Sequence, residues 1–239
     1  MDIKNIKKEF PIFKQKINGK PLVYLDSANS SQKPKVVIDK ISNFYETEFS
    51  NVGRSVHTLA VKATNRFEAT RDKIQKYLNA KHREEIIFTK GATEAINLVA
   101  SSYGKKYIKK GDEILITELE HHSNYVPWNF LRTEKGAVIK FAQVNEGGDV
   151  EIEEIRKLIT NKTKMIAITH ISNVTGAVLP ITKIVDLAKE KNIPVLIDGT
   201  QGAPHSKIDM QKIGCDFYAI SCHKMYGPNG LGILYMKKK

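Results

Sequence analysis

Hydrophobic positions along the 239-residue chain first recur at helical spacing and later also form short continuous runs. After Pro34, apolar residues recur at helical spacing as far as Tyr45, and a second helical pattern runs from Leu59 to Leu78. Beyond this point short apolar runs alternate with helical patterns. The predicted strands are EIIFT (85–89), EILIT (113–117), AVIKFAQV (137–144), KMIAITH (164–170), PVLIDGT (194–200), DFYAIS (216–221) and GILYM (232–236). The predicted helices between them are ATEAINLVASSY (92–103), NYVPWNFLRTEKG (124–136), EIEEIRKLI (151–159) and ITKIVDLAKEKN (181–192).

Strands that alternate with helices predict an α/β fold in which a largely parallel sheet is covered on both faces, because parallel strands need crossover connections. The last two strands have no helix between them, so an antiparallel pair is possible there. No repeat or linker interrupts residues 21–239, which we interpret as one domain. Residues 1–20 are predicted to form an amino-terminal arm, and the extended PLVYLDSANSSQKP (21–34) leads from it into the domain.

Composition narrows the class of protein. A hydrophobic content of 41% and a charged content of 27% are typical of a globular chain, and no apolar run approaches the roughly 18 residues that cross a bilayer. The net charge of +12 comes from scattered lysines, which favours a solvated surface over nucleic-acid binding. The first residues, MDIKNIKKEFPIF, lack the apolar core of a signal peptide, and two cysteines match no disulfide framework. We expect a cytoplasmic protein without membrane partners, with import into an organelle left open.

Polar residues follow five of the predicted strands. They occupy positions 90–94, 118–124, 170–174, 198–201 and 221–224. Ligands of parallel α/β sheets bind outside the carboxyl ends of the strands. The pattern therefore predicts that these five segments share one ligand-binding edge.

Two of these segments offer groups of opposite polarity to a ligand. The run KGATEA (90–95) offers backbone amides and Thr93 at a helix start, which is an anion site, although an ordinary turn and helix cap has the same pattern. Asp198 ends an apolar run, where a buried carboxylate needs a charged or donor partner; the alternative is a cap for the next helix.

Two adjacent histidines and the loop lysine Lys224 add candidate chemistry. His121 and His122 are adjacent and have no third ligand at metal spacing, so no metal site is predicted, and one ring is expected to serve a ligand. Lys224 is a candidate amine for attack on a carbonyl, although a solvated loop lysine is the common case. An anion site, a strand-end Asp, an imidazole and a loop lysine on one edge are the parts that pyridoxal phosphate requires.

Seven sequence blocks carry a family resemblance. They are YLDSANSSQKP, NVGRSVHTLAVKAT, EIIFTKGATEAINLVA, ELEHHSNYVPW, HISNVTGAVLP, LIDGTQGAPH and SCHKMYGPNGLGILY. Together they resemble the SUF-type (group II) cysteine desulfurases of the class V aminotransferase family, from about Phe10 to Tyr235. The resemblance implies the large domain of a fold-type-I, pyridoxal-phosphate-dependent enzyme that converts L-cysteine to L-alanine and leaves sulfur on an enzyme cysteine as a persulfide.

The resemblance also implies roles for the residues. Lys224 resembles the lysine that carries the cofactor and later moves the α proton of the substrate, and His121 resembles the imidazole stacked on the cofactor ring. These two are the catalytic candidates. Asp198 resembles the partner of the ring nitrogen. Gln201 matches a residue that bonds the ring hydroxyl, and Asn173 a contact to the cofactor or to the substrate carboxylate.

The phosphate of the cofactor is expected at the start of the helix that follows the first strand of the sheet. By the same resemblance its ligands are Thr93, Ser221 and His223, assisted by backbone amides from Gly91, Ala92 and Thr93. Sulfur-acceptor proteins and a homodimer of the full-length enzyme are the partners that the family implies.

The sequence also departs from the family pattern. Members have a further carboxyl-terminal portion with the nucleophilic cysteine and a carboxylate-binding arginine, whereas this chain ends soon after the lysine loop, so we expect a large domain without the small one. Neither Cys215 nor Cys222 stands at the nucleophile's place; Cys215 is expected in the core, and Cys222 as a small structural residue, with a reactive thiol as the lesser alternative. Gly53 replaces a usual histidine and Ser27 a usual asparagine.

Two other functions stay open at this point. The first is another class V enzyme, such as a selenocysteine lyase or an aminotransferase- or epimerase-like relative. The second is a non-catalytic protein that binds sulfur-transfer partners. The retained Lys224, Asp198 and His121 argue against the second, because a protein without catalysis has no chemical need for them.

Overall fold

A computed structural model of the protein describes residues 2–238, so Met1 and Lys239, the last residue of the predicted domain, lie outside the described residues. The helices are α1 (Ile3–Lys8), α2 (Lys35–Thr47), α3 (Thr58–Tyr77), α4 (Ala92–Val99), α5 (Lys105–Tyr107), α6 (Val126–Lys135), α7 (Ile152–Leu158), α8 (Ile181–Lys189), α9 (Gly202–His205) and α10 (Met210–Ile213). The strands are β1 (Lys16–Ile17), β2 (Lys20–Pro21), β3 (Ile86–Thr89), β4 (Glu113–Thr117), β5 (Val138–Ala142), β6 (Thr163–Thr169), β7 (Val195–Asp198), β8 (Phe217–Ser221) and β9 (Gly232–Met236).

Seven of these strands form one sheet, in the order β3-β9-β8-β7-β6-β4-β5. Strand β9 pairs antiparallel with both of its neighbours, and the remaining pairs are parallel. The prediction of a mostly parallel α/β sheet with an antiparallel pair near the end is confirmed. Because β3 to β8 run in one direction, their carboxyl ends lie along a single edge.

The core occupies both faces of this sheet. Leu115 of β4 belongs to the apolar cluster on one face, whereas Ile114 and Ile116 belong to the cluster on the other. Every residue of β4 is buried, as expected for a strand covered by helices on both faces. Burial on both faces explains the continuous apolar runs seen in the sequence.

The helix predicted over 92–103 is longer and less regular than expected. It consists of α4, a π-helical turn at Ala100–Gly104, and α5. A Cβ atom on Gly104 would lie 2.7 Å from Cδ1 of Leu131 in α6. Close packing of the two helices therefore requires glycine at the end of the π turn.

The amino-terminal residues form short elements before the sheet begins. Helix α1 is followed by a 3₁₀ turn at Pro11–Lys14 and by the antiparallel pair β1–β2. The division between an arm (1–20) and a domain (21–239) remains a prediction. No residue of α2 is buried, so its apolar side chains lie at least partly in solvent. Within residues 2–238, no helix has the length and apolar character to cross a membrane.

Candidate active site

A cavity of about 190 Å³ lies at the carboxyl ends of the parallel strands. Its lining consists of Asn29, Ala92, Thr93, His121, Ser123, Thr169, Ile171, Asn173, Asp198, Thr200, Gln201, Ser221, His223 and Lys224. Nine of the ten residues predicted as a cofactor site are in this set, and the tenth, Gly91, lines the cavity beside it. The sheet thus brings together residues that are far apart in the chain, such as Thr93 and Lys224.

The start of α4 is attached to the end of β8. Ser221 Oγ accepts a hydrogen bond of 2.8 Å from the backbone amide of Ala92. Opposite Ser221, Gly232 of β9 lies against the backbone of Gly91, where a Cβ atom would be 2.4 Å from the Gly91 Cα. Glycine at position 232 therefore allows the helix to begin beside the sheet.

Thr93 lies in the first turn of α4 and lines the cavity. Gly91 precedes the helix and supplies no side-chain cap, and Thr93 takes no part in capping. The first amides of a helix have no partner within the helix and carry a partial positive charge. This end of the cavity is consequently suited to an anion.

Asp198 is the last residue of β7 and only 4% of it is exposed. Its Oδ1 accepts a hydrogen bond of 3.0 Å from the backbone amide of Thr200. Within residues 2–238, its Oδ2 accepts no hydrogen bond. A buried carboxylate of this kind is stabilised by a donor from a ligand.

The loop after Asp198 rests on two aromatic rings. A Cβ atom on Gly199 would lie 1.8 Å from the Tyr218 ring, and one on Gly202 would lie 2.1 Å from His170 Nδ1. His170 Nδ1 and the Tyr218 hydroxyl are 2.8 Å apart. Burial lowers the pKa of His170 to about 4, so the imidazole is neutral and supports the loop without adding charge.

Gln201 connects this loop to the amino-terminal segment. Its Nε2 donates a hydrogen bond of 2.6 Å to the carbonyl of Ala28, and the residue is buried. The neighbouring Asn29 then lines the cavity. Gln201 therefore has its amide nitrogen engaged and can offer a ligand only its oxygen or the second amide hydrogen.

Lys224 ends a 3₁₀ turn at Cys222–Lys224, directly after β8. Burial lowers the pKa of its amine, and the nearby Asp198 carboxylate opposes part of that shift. Burial and the positive charges of Lys224 and Lys33 lower the pKa of His223. A lysine with a lowered pKa has more of the neutral amine, which is the nucleophilic form.

His121 and His122 have different environments. His121 lines the cavity, and its Nδ1 accepts from the Ser123 amide at 3.2 Å and lies 2.8 Å from the Ser123 hydroxyl. Since Nδ1 accepts, the neutral ring carries its proton on Nε2. His122 lines a separate cavity beside Phe141, so of the two rings His121 is the one that lines this site.

Glu120 is a half-buried acid next to the site that was not among the predicted site residues. Its carboxyl group accepts from the Thr117 hydroxyl at 2.7 Å, from the Asn124 side chain and from the Thr169 amide at 2.9 Å. Burial raises its pKa to about 8, although these hydrogen bonds act in the opposite direction. Glu120 joins the ends of β4 and β6, and it was available to sequence reasoning only as the residue before His121.

Five further lining residues were absent from the predicted set: Asn29, Ser123, Thr169, Ile171 and Thr200. Thr200 is the most informative, because its Oγ1 is buried and has no hydrogen-bond partner within residues 2–238. Its position between Asp198 and Gln201 was the only signal in the sequence. A buried hydroxyl without a partner in the wall of a cavity indicates a polar ligand.

The cysteines are structural in this fold. Cys215 is fully buried, as predicted, and burial raises the pKa of its thiol. Burial also raises the pKa of Cys222 to about 11, and its side chain packs against the apolar core. These observations favour the expected small structural residue over the reactive thiol at Cys222. Among residues 2–238, no group of three or more His, Cys, Asp or Glu could hold a metal ion.

The chain belongs to the class V aminotransferase family, whose model, Aminotransferase class-V, matches residues 23–239. It is 49% identical to a probable cysteine desulfurase of Halalkalibacterium halodurans over 100% of this chain and 59% of the relative. It is 44% identical to a cysteine desulfurase of Synechococcus elongatus over 100% of this chain and 38% of the relative. The chain thus spans about half the length of the curated relatives it matches.

Solved structures show the same similarity. The cysteine desulfurase CsdA of Escherichia coli superposes with a TM-score of 0.87 at 36% identity, over 99% of this chain and 58% of that one. The apo cysteine desulfurase of Thermococcus onnurineus superposes with a TM-score of 0.92 at 32% identity, over 99% and 57%. The expected fold-type-I large domain is confirmed.

Members of this family are pyridoxal-phosphate-dependent enzymes. The cavity fits such a cofactor on its own chemistry. It has a helix amino terminus and the Ser221 hydroxyl for a phosphate, the buried Asp198 carboxylate for a ring nitrogen, and the Lys224 amine for an aldehyde. The unpartnered Thr200 hydroxyl also indicates that a polar ligand completes the site.

Proposed function

We propose that the chain is the cofactor-binding portion of a pyridoxal-phosphate-dependent cysteine desulfurase. The observation that carries the proposal is the placement of the Lys224 amine and the buried Asp198 carboxylate in one cavity. The reaction would convert L-cysteine and an enzyme thiol into L-alanine and a persulfide. The C–S bond of cysteine breaks, an S–S bond forms, the carbon is reduced and the sulfur oxidised, so no external oxidant is needed.

Bound pyridoxal phosphate supplies an aldehyde for attachment and an electron-withdrawing ring that stabilises negative charge at the substrate Cα. Asp198 would keep a proton on the ring nitrogen, because a buried carboxylate without a second donor favours a positively charged partner. Lys224 would hold the cofactor and, once substrate replaces it, take the α proton with its free amine. Its lowered pKa suits both tasks.

The phosphate would lie between the first turn of α4 and the Lys224 loop. Ser221 Oγ accepts from the Ala92 amide, so the hydroxyl proton remains free to donate into the cavity. Thr93 and His223 line the same end. His121 also lines the cavity and would cover the ring, and Asn173 would contact the cofactor or the substrate carboxylate.

Neither cysteine of the chain is assigned as the sulfur acceptor. Burial raises the pKa of both thiols, whereas a nucleophile requires the thiolate. We assign the accepting thiol to a cysteine outside these 239 residues. The persulfide would then pass to a sulfur-acceptor protein for iron–sulfur cluster assembly in the cytoplasm.

A homodimer of the full-length enzyme is also part of the proposal. Helix α2 has no buried residue, and Val36 and Tyr45 on it are 68% and 66% exposed. Apolar side chains on a helix that contacts so little of its own chain favour burial against another surface. The mass of the full-length product in solution tests whether it is a homodimer.

The test of the proposed cofactor site is the visible spectrum of the purified chain with pyridoxal phosphate. A band from covalent attachment should form, should be absent in Lys224→Ala, and should persist in Lys212→Ala, which removes an exposed lysine. Borohydride reduction followed by peptide mapping should place the cofactor on the Lys224 peptide. A reduced cofactor on another lysine, or no band in a folded chain, would refute the assignment.

A further inference from the structure

The carbonyl oxygen of His223, the residue before Lys224, accepts four hydrogen bonds from the amino-terminal segment. The three short ones come from the Ser31 amide at 3.0 Å, from Ser31 Oγ at 2.9 Å and from Lys33 Nζ at 2.8 Å. Ser30 Oγ adds a longer one at 3.4 Å. About 190 residues separate donors and acceptor in the chain. Four donors on one backbone oxygen exceed what an ordinary turn provides, since a carbonyl has two lone pairs.

The ammonium group of Lys33 bonds backbone carbonyls and no carboxylate among residues 2–238. Its ammonium also donates to the Ser31 carbonyl at 2.7 Å, so it joins two backbone oxygens. Within residues 2–238 no carboxylate lies in ion-pair contact with it, and burial lowers its pKa. A partly buried cation without an acidic partner costs free energy, which its hydrogen bonds to the two carbonyls offset.

Ser31 also reaches the far side of the Lys224 loop. Its Oγ accepts a hydrogen bond of 2.8 Å from the Tyr226 amide. Ser31 therefore contacts the residue immediately before Lys224 and a residue two positions after it. The side chain is 6% exposed, so water does not readily replace these bonds.

The loop needs such support because its backbone is strained. Tyr226 has a φ of 64°, in the left-handed region that residues other than glycine rarely adopt. This conformation persists only where surrounding contacts hold it. The bond to Ser31 Oγ is one such contact, and the Phe10 ring packs edge-on against the Tyr226 ring at 5.9 Å between centroids.

We propose that Ser31 and Lys33 are positioning residues for Lys224, which hold the loop 222–226 so that the amine lines the cavity. The inference rests on the proposed function and deepens it: the amino-terminal segment, which contributes Asn29 to the cavity wall, also fixes the residue that would carry the cofactor. Neither Ser31 nor Lys33 lines the cavity, so their effect would act through the loop.

Hydrogen exchange of the chain without cofactor tests the loop directly. In Lys33→Met and in Ser31→Ala, amides of a peptide covering 222–227 should exchange about tenfold faster, as expected for loss of a charged or buried hydrogen bond. Lys35→Met is the matched control, because Lys35 is exposed and pairs with Asp39. In Lys35→Met, the amides of the same peptide should exchange at the rate seen in the unmodified chain. Thermal melting of each variant verifies that it is folded.

A second readout measures the consequence for Lys224. The rate at which the covalent cofactor band forms should fall about tenfold in Lys33→Met and recover in Lys33→Arg, which restores the cation. A midpoint shift in the pH titration of that band should accompany the slower rate, because the amine has lost its fixed environment. Loss of packing alone would leave the pH midpoint unchanged.

The outcomes separate the two proposals. Faster loop exchange in Lys33→Met and Ser31→Ala, together with a slower band, supports the positioning role. No band in the unmodified chain, with exchange still dependent on Lys33, refutes the cofactor assignment and leaves the loop anchor in place. Unchanged exchange and an unchanged band in both variants overturn the positioning role, whatever the cofactor does. If Lys33→Met does not fold, Ser31→Ala decides by the same measurements.

Discussion

The hydroxyl oxygen of Ser221, at the end of β8, accepts a hydrogen bond of 2.8 Å from the amide of Ala92, at the start of α4. These residues are 129 positions apart. The bond ties a strand end to a helix amino terminus, and both then face the same cavity. Because the oxygen acts as acceptor to the protein, its proton is left to donate to a ligand.

Replacing Ser221 should weaken cofactor binding. In Ser221→Ala the Ala92 amide loses its acceptor and the phosphate loses a donor, so the affinity for pyridoxal phosphate should fall by about tenfold or more. Titration of the visible band against cofactor concentration measures the change. Ser101→Ala removes an exposed hydroxyl on the π turn and should bind as the unmodified chain does. Equal affinities in the two variants would contradict the phosphate role.

Glu120 should make the fold less stable as the pH rises. Its pKa is about 8 in the folded chain against 4.5 ordinarily, so the folded state binds more protons between these values. Stability from this group is therefore full below about pH 4.5 and is lost progressively towards pH 8. Glu120→Gln, which is neutral at every pH, should show a smaller decline in the free energy of unfolding over this interval.

Urea unfolding at several pH values between 5 and 8.5 measures the effect of Glu120. Glu146→Gln, an exposed substitution in a loop, is the control and should follow the unmodified chain. Parallel curves for Glu120→Gln and the unmodified chain would show that the carboxyl group is ionised throughout.

His170 should make the fold less stable as the pH falls. Its pKa is about 4 in the folded chain against 6.5 ordinarily, so the unfolded state binds more protons between these values. Stability is full above about pH 6.5 and is lost as the pH falls towards 4. His170→Asn should be less stable at pH 7 by about 1–3 kcal/mol, because the Tyr218 hydroxyl loses its partner, but should lose less on acidification.

Melting temperatures from pH 7 down to pH 4.5 test this expectation. The exposed His205 offers the control His205→Asn, whose melting curve should resemble that of the unmodified chain at each pH. An equally steep acid decline in His170→Asn would assign the acid sensitivity to other groups.

Gly202 should tolerate no side chain. In Gly202→Ala the new Cβ would lie 2.1 Å from His170 Nδ1, so the loop that carries Asp198 and Gln201 must move. We expect a loss of about 1–3 kcal/mol in stability and weaker cofactor binding. Gly147→Ala is the control, since its Cβ would meet only the Asn145 side chain, at 3.2 Å.

A double variant shows whether the clash is the cause. Gly202→Ala should cost less stability in a His170→Ala background than in the unmodified chain, because most of the obstructing ring is gone. Additive losses, measured by urea unfolding, would place the strain elsewhere.

Local patterns in the sequence predicted much of the fold. The runs EILIT and GILYM match β4 and β9 residue for residue, because strands buried on both faces have nearly continuous apolar sequences. The helix after Thr89 was longer and less regular than predicted, because it contains a π turn at Ala100–Gly104 whose last residue lies against Leu131. That packing partner lies on a different helix and leaves no mark in the local pattern.

The sequence by itself also determined where Asp198 and Lys224 lie, because residues after parallel strands share one edge of the sheet whatever the remaining details. Tertiary structure alone decided what surrounds them. Three sets of contacts join segments that are distant in the chain: those of Ser31 and Lys33 with His223, the hydrogen bond from the Thr169 amide to Glu120, and the rings beneath the Asp198 loop. Periodicity reports which face of an element is apolar, whereas such contacts depend on how the elements pack against one another.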